Sequence, residues 1–201
     1  MLVKKTASLL LGVILILSLL SGCGGKPEPE TPDSQPDQAS PAEGAAALGS
    51  LSSFTAGTLD GGTFTQDDVA AKDVTVFNFW ALTCPPCIAE MPDIADFEKA
   101  LPDNVAVVTV CLDGYGSEDS VREVLDNAGF EGVTLISGEG DLLDLAGNLM
   151  YTPTTVFADS HGALVGEAMI GGPADLSAAY LEAVNQTLAA GGKDEISLED
   201  A

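Results

Sequence analysis

Residues 78–92 have the sequence NFWALTCPPCIAEMP, in which two cysteines flank two prolines. Residues 74–80, just before them, form a run of strand length that is rich in β-branched and aromatic side chains. After Cys87, apolar residues recur at intervals of three and four, the period of an amphipathic helix: Ile88, Met91, Ile94, Phe97 and Leu101. The stretch therefore predicts a buried strand that leads through Cys-Pro-Pro-Cys into a helix.

The rest of the globular part alternates between strand and helix patterns. A hairpin is predicted at residues 54–65, and strands at residues 105–112, 133–136, 154–157 and 164–170. Helical spacing appears around residues 121–128 and 176–188, with a short helical turn at residues 142–145 and a turn at residues 159–162. This order indicates an α/β sandwich with a mixed sheet.

The amino terminus has the features of an export signal. Lys4 and Lys5 precede an uncharged run over residues 9–20, which is about twelve residues and too short to span a bilayer. Leu20-Ser21-Gly22-Cys23 resembles a bacterial lipobox, which implies cleavage before Cys23 and attachment of lipid to it. We therefore expect a lipoprotein signal peptide at residues 1–22 and an extracytoplasmic, lipid-anchored chain. An ordinary signal, or an uncleaved anchor, is the alternative.

The next segment and the charge balance suggest a tethered domain. Residues 23–50 are rich in proline and acidic residues and are expected to form a disordered tether. A globular domain is predicted at residues 51–191, followed by an acidic tail at residues 192–201 with little to bury. The chain has seven basic and 31 acidic residues, a net charge of −24, which disfavours binding to nucleic acid or to an anionic lipid surface.

The two cysteines of the Cys-Pro-Pro-Cys stretch are suited to thiol chemistry. Cys84 would lie at the start of a helix, where unpaired N–H groups and the helix dipole favour a thiolate. Cys87 follows one turn later, close enough to form a disulfide with Cys84 or to resolve a mixed disulfide. A structural staple is the weaker alternative, because so short a loop limits the unfolded chain little.

A metal site is disfavoured by the ligands available. A structural zinc site takes four ligands, and beyond the pair the chain offers Cys111 and the single histidine, His161. His161 falls in a predicted turn; if the strand before it extends over six residues, from Thr154 to Asp159, His161 lies roughly 20 Å from the start of that strand at about 3.3 Å per residue. No metal is therefore expected. Cys111, at the end of a strand, is interpreted as a small buried residue, with a third active thiol as the alternative.

In combination, these motifs resemble the membrane-anchored thioredoxin-like thiol–disulfide oxidoreductases of the TlpA/ResA type. The matching residues are Asn78-Phe79-Trp80, Cys84-Pro85-Pro86-Cys87, Glu90, Pro92 and Tyr151-Thr152-Pro153-Thr154. The resemblance implies a thioredoxin-like three-layer sandwich with an N-terminal β-hairpin, an exposed nucleophile at Cys84 and a resolving thiol at Cys87. It also implies a cis Thr152–Pro153 bond beside the pair, a helix kink at Pro92, and no cofactor beyond the redox-active pair. Thr152, Pro153 and Trp80 are then the expected substrate-binding residues.

Three positions near the pair affect proton transfer to and from the cysteines and the choice of partner protein. Glu90 shares a helix face with Cys87, matches a carboxylate near the pair in ResA-like proteins, and could accept a proton. Asn78 replaces the buried acid of thioredoxins and cannot relay a proton. Thr83 replaces the tryptophan usual before the first cysteine, which leaves partner specificity open.

Pro85 and Pro86 bear on the reduction potential of the cysteine pair. Pro86 has no N–H to donate to the Cys84 sulfur, so only the Cys87 amide is well placed. Since Glu90 also opposes a thiolate, we expect a moderate to reducing potential.

Two classes of function follow. The first is a lipid-anchored disulfide reductase, for which the resemblance implies a membrane electron donor of the CcdA/DsbD kind and substrates such as the haem-binding cysteines of apocytochrome c. The same pair could also serve an oxidase or isomerase. The second class is a binding or carrier module with an idle pair. A peroxidase is disfavoured because Ala81 stands where peroxiredoxins have a threonine.

Overall fold

A computed structural model describes residues 49–198 of the chain. The predicted signal peptide, Cys23 and nearly all of the predicted tether lie outside the described residues. The strands are β1 (Phe54–Thr58), β2 (Thr63–Thr65), β3 (Val74–Trp80), β4 (Val105–Cys111), β5 (Val133–Gly140), β6 (Thr154–Asp159) and β7 (Met169–Ile170). The helices are α1 (Gln66–Ala70), α2 (Pro85–Lys99), α3 (Glu118–Ala128), α4 (Asp141–Asn148) and α5 (Leu176–Ala190).

The strands form one seven-stranded mixed sheet in the order β2-β1-β5-β4-β3-β6-β7. β3, β4 and β5 are parallel, and the outer pairings are antiparallel. One hydrophobic core lies between the sheet and α2, α3 and α5, and the second lies between the other face of the sheet, including the hairpin strands, and α1 and α4. These three layers confirm the predicted α/β sandwich with an N-terminal hairpin.

β3 occupies a central position, and all seven of its residues are buried. A parallel strand that is covered on both faces consists of nearly continuous apolar side chains, as the sequence indicated. β3 ends at Trp80, four residues before Cys84. The cysteine pair therefore lies at the edge of the sheet where the parallel strands have their carboxyl ends. None of the helices within residues 49–198 has the length and apolar character needed to cross a membrane.

The structure departs from the sequence prediction in several elements. The capping box of Thr65 and Asp68 starts α1, which was not predicted. β5 and α4 are longer than predicted. The strand predicted at residues 164–170 is interrupted, because Gly166 has a φ of +76°, and only a bridge at Leu164 and the two residues of β7 pair with β6.

The described part of the expected acidic tail also differs from the prediction. Ile196 and Leu198 pack against the core, and Asn185 of α5 makes two hydrogen bonds to the backbone of Ile196. Lys193 forms an ion pair with Asp73 at 2.7 Å. The apolar residues within this charged segment, together with the Asn185 amide, explain why it folds back.

Candidate active site

Cys84 and Cys87 form a disulfide at the start of α2, with Cα atoms 5.4 Å apart. Cys84 is the N-cap of the helix, and Pro85 and Pro86 occupy its first two positions. The N–H of Cys87 donates to the Cys84 sulfur at 3.3 Å. This is the single backbone donor that the sequence predicted for this sulfur, because neither proline has an N–H.

The two sulfurs differ in accessibility. Cys84 is 8% exposed and Cys87 is fully buried. The exposed nucleophile implied by the resemblance is therefore largely covered in the disulfide form, in which the Thr152 carbonyl oxygen lies 3.5 Å from the Cys84 sulfur. Of the two cysteines, only Cys84 presents any surface to an incoming disulfide.

The segment before β6 packs beside the disulfide. The Thr152–Pro153 peptide bond is cis, as expected. Thr152 is partly exposed, whereas Pro153 is buried and its carbonyl accepts a hydrogen bond from the Gly171 N–H at 2.8 Å. Of the two, Thr152 is therefore the residue that offers side-chain surface to a substrate beside Cys84.

Trp80 cannot contact a substrate in this structure, contrary to the expectation. Its side chain is fully buried within the core that covers α2. The physical reason is its place in β3, which is covered on both faces and leaves no side chain exposed. Pro92 lies within α2 as expected, and the helix continues past it to Lys99.

Glu90, one helical turn after Cys87, belongs to a buried polar cluster. Glu90 Oε1 accepts a hydrogen bond from Asn78 Nδ2 at 3.1 Å, and that amide nitrogen also lies 3.0 Å from Thr155 Oγ1 and 3.4 Å from the Tyr180 hydroxyl. The Thr155 and Tyr180 hydroxyls are 2.6 Å apart. The cluster thus links α2, β3, β6 and α5.

Burial favours the protonated form of Glu90. Burial raises the pKa of Glu90, and the charge of Asp93 adds to this, while the Asn78 hydrogen bond lowers the pKa. The second oxygen, Oε2, is buried without a hydrogen-bond partner among the described residues. Burial likewise raises the pKa of Tyr180 to about 12. Glu90 is therefore a carboxyl group that can hold a proton beside the pair.

Asp113 is a site residue that the sequence reasoning missed. It follows β4 and accepts hydrogen bonds from the Leu82 N–H at 2.7 Å and from the Thr83 hydroxyl at 3.3 Å. Burial alone would raise the pKa of Asp113, but these hydrogen bonds and one from the Cys111 thiol lower it. A signal was available, since β3 and β4 are adjacent and parallel and a polar residue after one strand faces the loop after the other.

Cys111 and His161 lie apart from the disulfide chemistry. Cys111 is a free, buried thiol whose pKa is raised to about 12, chiefly by burial and further by Asp113. This environment fits the interpretation of a small buried residue. His161 lies in the turn after β6, where its N–H donates to Asp159, and Asp159 pairs with Val74 at the opposite end of the sheet from Cys84.

The fold and the site define a thioredoxin-like protein with a Cys-x-x-Cys disulfide at a helix amino terminus. The sequence matches the Redoxin family over residues 41–194, and the chain belongs to this family.

Individual relatives agree with that assignment. The chain is 35% identical over 112 residues to "Thioredoxin-like protein YneN" of Bacillus subtilis and 32% identical over 105 residues to "Thiol-disulfide oxidoreductase ResA" of Oceanobacillus iheyensis. These matches cover 55% and 52% of this chain, and they span 64% and 53% of the two relatives. The chain thus spans less than two thirds of the length of either relative.

A solved structure supports the fold. The thioredoxin domain of a thiol-disulfide oxidoreductase from Bacteroides vulgatus superposes with a TM-score of 0.55 at 20% identity. The match covers 68% of this chain and 97% of that domain. At this identity the likeness establishes the thioredoxin-like fold.

Proposed function

We propose that this protein is a thiol–disulfide oxidoreductase that reduces disulfides of other proteins. The observation that supports this most directly is the Cys84–Cys87 disulfide at the start of α2, in which Cys84 is the less buried of the two cysteines. Relatives named as a thioredoxin-like protein and a thiol-disulfide oxidoreductase support the same chemistry.

The reaction begins from the dithiol form. The Cys84 thiolate attacks one sulfur of a target disulfide, forms a mixed disulfide and expels the other target sulfur as a thiolate. Cys87, as thiolate, then attacks the Cys84 sulfur and releases the second target thiolate. Two electrons pass from the pair to the target, and the pair becomes the disulfide. In its ionised form, Glu90 accepts the proton of the Cys87 thiol and returns it to Cys87 when the pair is reduced again.

The surroundings of Cys84 favour reduction of targets over oxidation. The Cys87 N–H and the helix dipole stabilise a Cys84 thiolate, and no described Lys, Arg or His side chain contacts that sulfur. Since the thiolate form is stabilised only modestly, we place the potential nearer to thioredoxin, about −270 mV, than to DsbA, about −120 mV. An oxidase or isomerase would need a markedly higher potential.

The proposed location rests on sequence features outside the described residues, and the proposed partners rest on the resemblance to the TlpA/ResA type. Cys23 carries the lipid and holds the domain outside the cytoplasmic membrane on the residue 23–50 tether. Turnover as a reductase requires a supply of electrons, for which we propose a membrane thiol-transferring protein of the CcdA/DsbD kind. Apocytochrome c and other envelope proteins with disulfides are the proposed substrates.

Trapping of the mixed disulfide tests the proposal. With Cys87→Ser in the full chain, the second step is blocked and target proteins should remain covalently attached to Cys84 in cells. Cys84→Ser is the matched control and should trap nothing. Absence of adducts in Cys87→Ser, with no reaction of the purified dithiol protein toward any disulfide, would contradict the proposal and favour a carrier with an idle pair.

A further inference from the structure

The exposed apolar side chains of the described chain are concentrated around the disulfide. Residues 49–198 contain eight large apolar side chains that are exposed. Six of them line two pockets at the same end of the sheet as Cys84: Leu112, Tyr115, Leu143, Met150, Tyr151 and Ile170. Exposed apolar residues on most protein surfaces are scattered singly, whereas a cluster of them indicates an interaction surface.

The first pocket, here the β7 pocket, has a volume of about 330 Å³ and is lined by Met150, Tyr151 and Ile170. Met150 is 82% exposed. The pocket is joined to the site directly, because Tyr151 precedes Thr152, whose carbonyl oxygen lies 3.5 Å from the Cys84 sulfur. A chain that reaches Cys84 along this segment therefore passes the pocket.

The second pocket, here the β4 pocket, has a volume of about 290 Å³ and is lined by Leu112, Tyr115 and Leu143. Tyr115 is 79% exposed. This pocket is also joined to the site, because Leu112 precedes Asp113, which binds the Leu82 N–H and the Thr83 hydroxyl just before Cys84.

The two pockets lie on opposite sides of β3, the strand that leads to Cys84. One borders β4 and β5, the other borders β6 and β7, and both border α4. With about 4.8 Å between neighbouring strands, the four intervals from β5 to β7 amount to about 19 Å, the length of roughly six extended residues. An extended segment of that length can fill both pockets while its central cysteine lies at Cys84.

The charges at this end of the sheet specify the partner further. Among residues 49–198, no Lys or Arg lines either pocket, whereas Glu167 lines the β7 pocket and Asp113 lies beside the β4 pocket. Three described cations are engaged elsewhere: Lys72 with the Asp103 carbonyl, Arg122 with Asp60 and Lys193 with Asp73. Lys99 lies at the far end of α2. The local field therefore favours a basic segment and repels an acidic one.

We propose that the β7 and β4 pockets together bind an extended segment of the target polypeptide whose cysteine is flanked on both sides by apolar residues and by Lys or Arg. This inference rests on the proposed function and names the class of substrate for the same site. Aromatic and methionine side chains suit this role, because they supply large contact areas and adapt to different sequences.

The test measures how fast the reduced full chain reacts with peptides. Each peptide carries one cysteine linked to a small chromophoric thiol, whose release reports attack by Cys84. The flanks are apolar and basic, apolar and acidic, or built from Gly and Ser with the basic charges retained. Burial of one apolar side chain corresponds to about a tenfold change, so the apolar and basic peptide should react about tenfold faster than the Gly and Ser peptide. The ratio of its rate to that of the peptide with apolar and acidic flanks should decrease when salt is added.

Variants connect this preference to the pockets. Two double variants remove the exposed apolar side chains of one pocket each: Tyr115→Ser with Leu143→Ser, and Met150→Ser with Ile170→Ser. Each should reduce the preference for the peptide with apolar flanks. Neither should change the rate of reaction with the small disulfide that two molecules of the chromophoric thiol form with each other. Val133→Ser is the matched control, since Val133 is exposed but lines neither pocket. These are exposed positions, where substitutions change stability little.

The outcomes separate this inference from the proposed function. Reaction with the small disulfide but equal rates for all peptides would overturn the docking surface alone, as would a preference that survives both pairs of substitutions. No reaction with any disulfide would overturn both proposals. A dimer in light scattering that becomes a monomer in the pocket variants would show that a second copy of the chain covers the surface, and it too would overturn the inference.

Discussion

Glu90 is the single residue whose environment most affects the chemistry of the pair. The residue is 8% exposed, its Oε1 accepts a hydrogen bond from Asn78, and its Oε2 lies against Gly172, where a Cβ atom would be only 2.5 Å from it. A charged carboxylate in such a place loses most of its hydration, which is why burial dominates the rise of the Glu90 pKa. Glu90 thus resists ionisation in the folded state.

The raised pKa of Glu90 predicts a specific pH dependence of stability. Because the folded state holds this proton more tightly than the unfolded state, the associated stability is fully present below the ordinary carboxyl pKa and is lost as pH rises through the raised pKa. Glu90→Gln should therefore remove the fall in the free energy of unfolding between the ordinary carboxyl pKa and the raised pKa of Glu90, and should increase that free energy at neutral pH. Urea unfolding of the full chain at several pH values measures this, with the exposed Asp96→Asn on the same helix as the control. An unchanged slope in Glu90→Gln would contradict the prediction.

The hydroxyl pair of Tyr180 and Thr155 supports the Asn78 amide, which donates to Glu90. Tyr180→Phe leaves buried polar groups with one partner fewer and should cost about 1–2 kcal/mol in the free energy of unfolding. Removal of both hydroxyls with Thr155→Val should cost less than the sum of the single changes, with a coupling of about 1 kcal/mol. Tyr115→Phe, at an exposed tyrosine, should have no effect. Strict additivity of the two substitutions in urea unfolding would refute the coupling.

The amino terminus of α2 is the element that sets the properties of Cys84. Pro85 and Pro86 fill its first two positions, so within residues 49–198 the only N–H group that reaches the sulfur is that of Cys87. An N-cap side chain accepts hydrogen bonds from the second and third helical residues, not from the first. The missing donor at Pro86 thus limits how well the helix stabilises a thiolate.

Restoring that donor should change the potential. Pro86→Ala supplies an N–H at the second helical position, which should lower the pKa of the Cys84 thiol and stabilise the dithiol form. One further hydrogen bond of about 1 kcal/mol corresponds to a rise in potential on the order of 20 mV for two electrons. Pro85→Ala is the matched control and should change the potential little. Equilibration with glutathione measures both variants, and equal shifts in the two would contradict the N-cap argument.

Secondary-structure elements could be predicted where the periodicity of apolar residues is strong. They were predicted less well where tertiary contacts determine the local structure. The run from β3 into α2 and the cap donor of Cys87 were predicted from residues 74–101. The predicted strand at residues 164–170 was wrong in part, because the positive φ of Gly166 interrupts it. The prediction that Trp80 binds substrate was wrong, because a strand that is covered on both faces exposes no side chain. Asp113 was missed because its contacts with Leu82 and Thr83 join residues about thirty positions apart.

On the scale of the whole molecule, charge and attachment are connected. Residues 1–22 hold two lysines and no acid, so the chain from Cys23 onward has five basic and 31 acidic residues, a net charge of −26. An anionic membrane surface repels such a chain, and screening by salt weakens that repulsion. Charge attraction to lipid therefore does not account for the proposed membrane association, which a covalent lipid or an uncleaved apolar segment would have to supply.

The two sources of attachment can be distinguished by labelling. When cells are grown with a labelled fatty acid, the full-length protein should incorporate the label, and Cys23→Ser should not, because the lipobox cysteine is the proposed acceptor. Cys111→Ser is the control and should be labelled like the wild type, since Cys111 is buried in the domain. Wild-type protein that stays in the membrane fraction without label would point to an uncleaved segment at residues 9–20. Wild-type protein that leaves the membrane fraction unlabelled would point to an ordinary cleaved signal, and either result would remove the lipid from the proposed function while leaving the chemistry of Cys84 untouched.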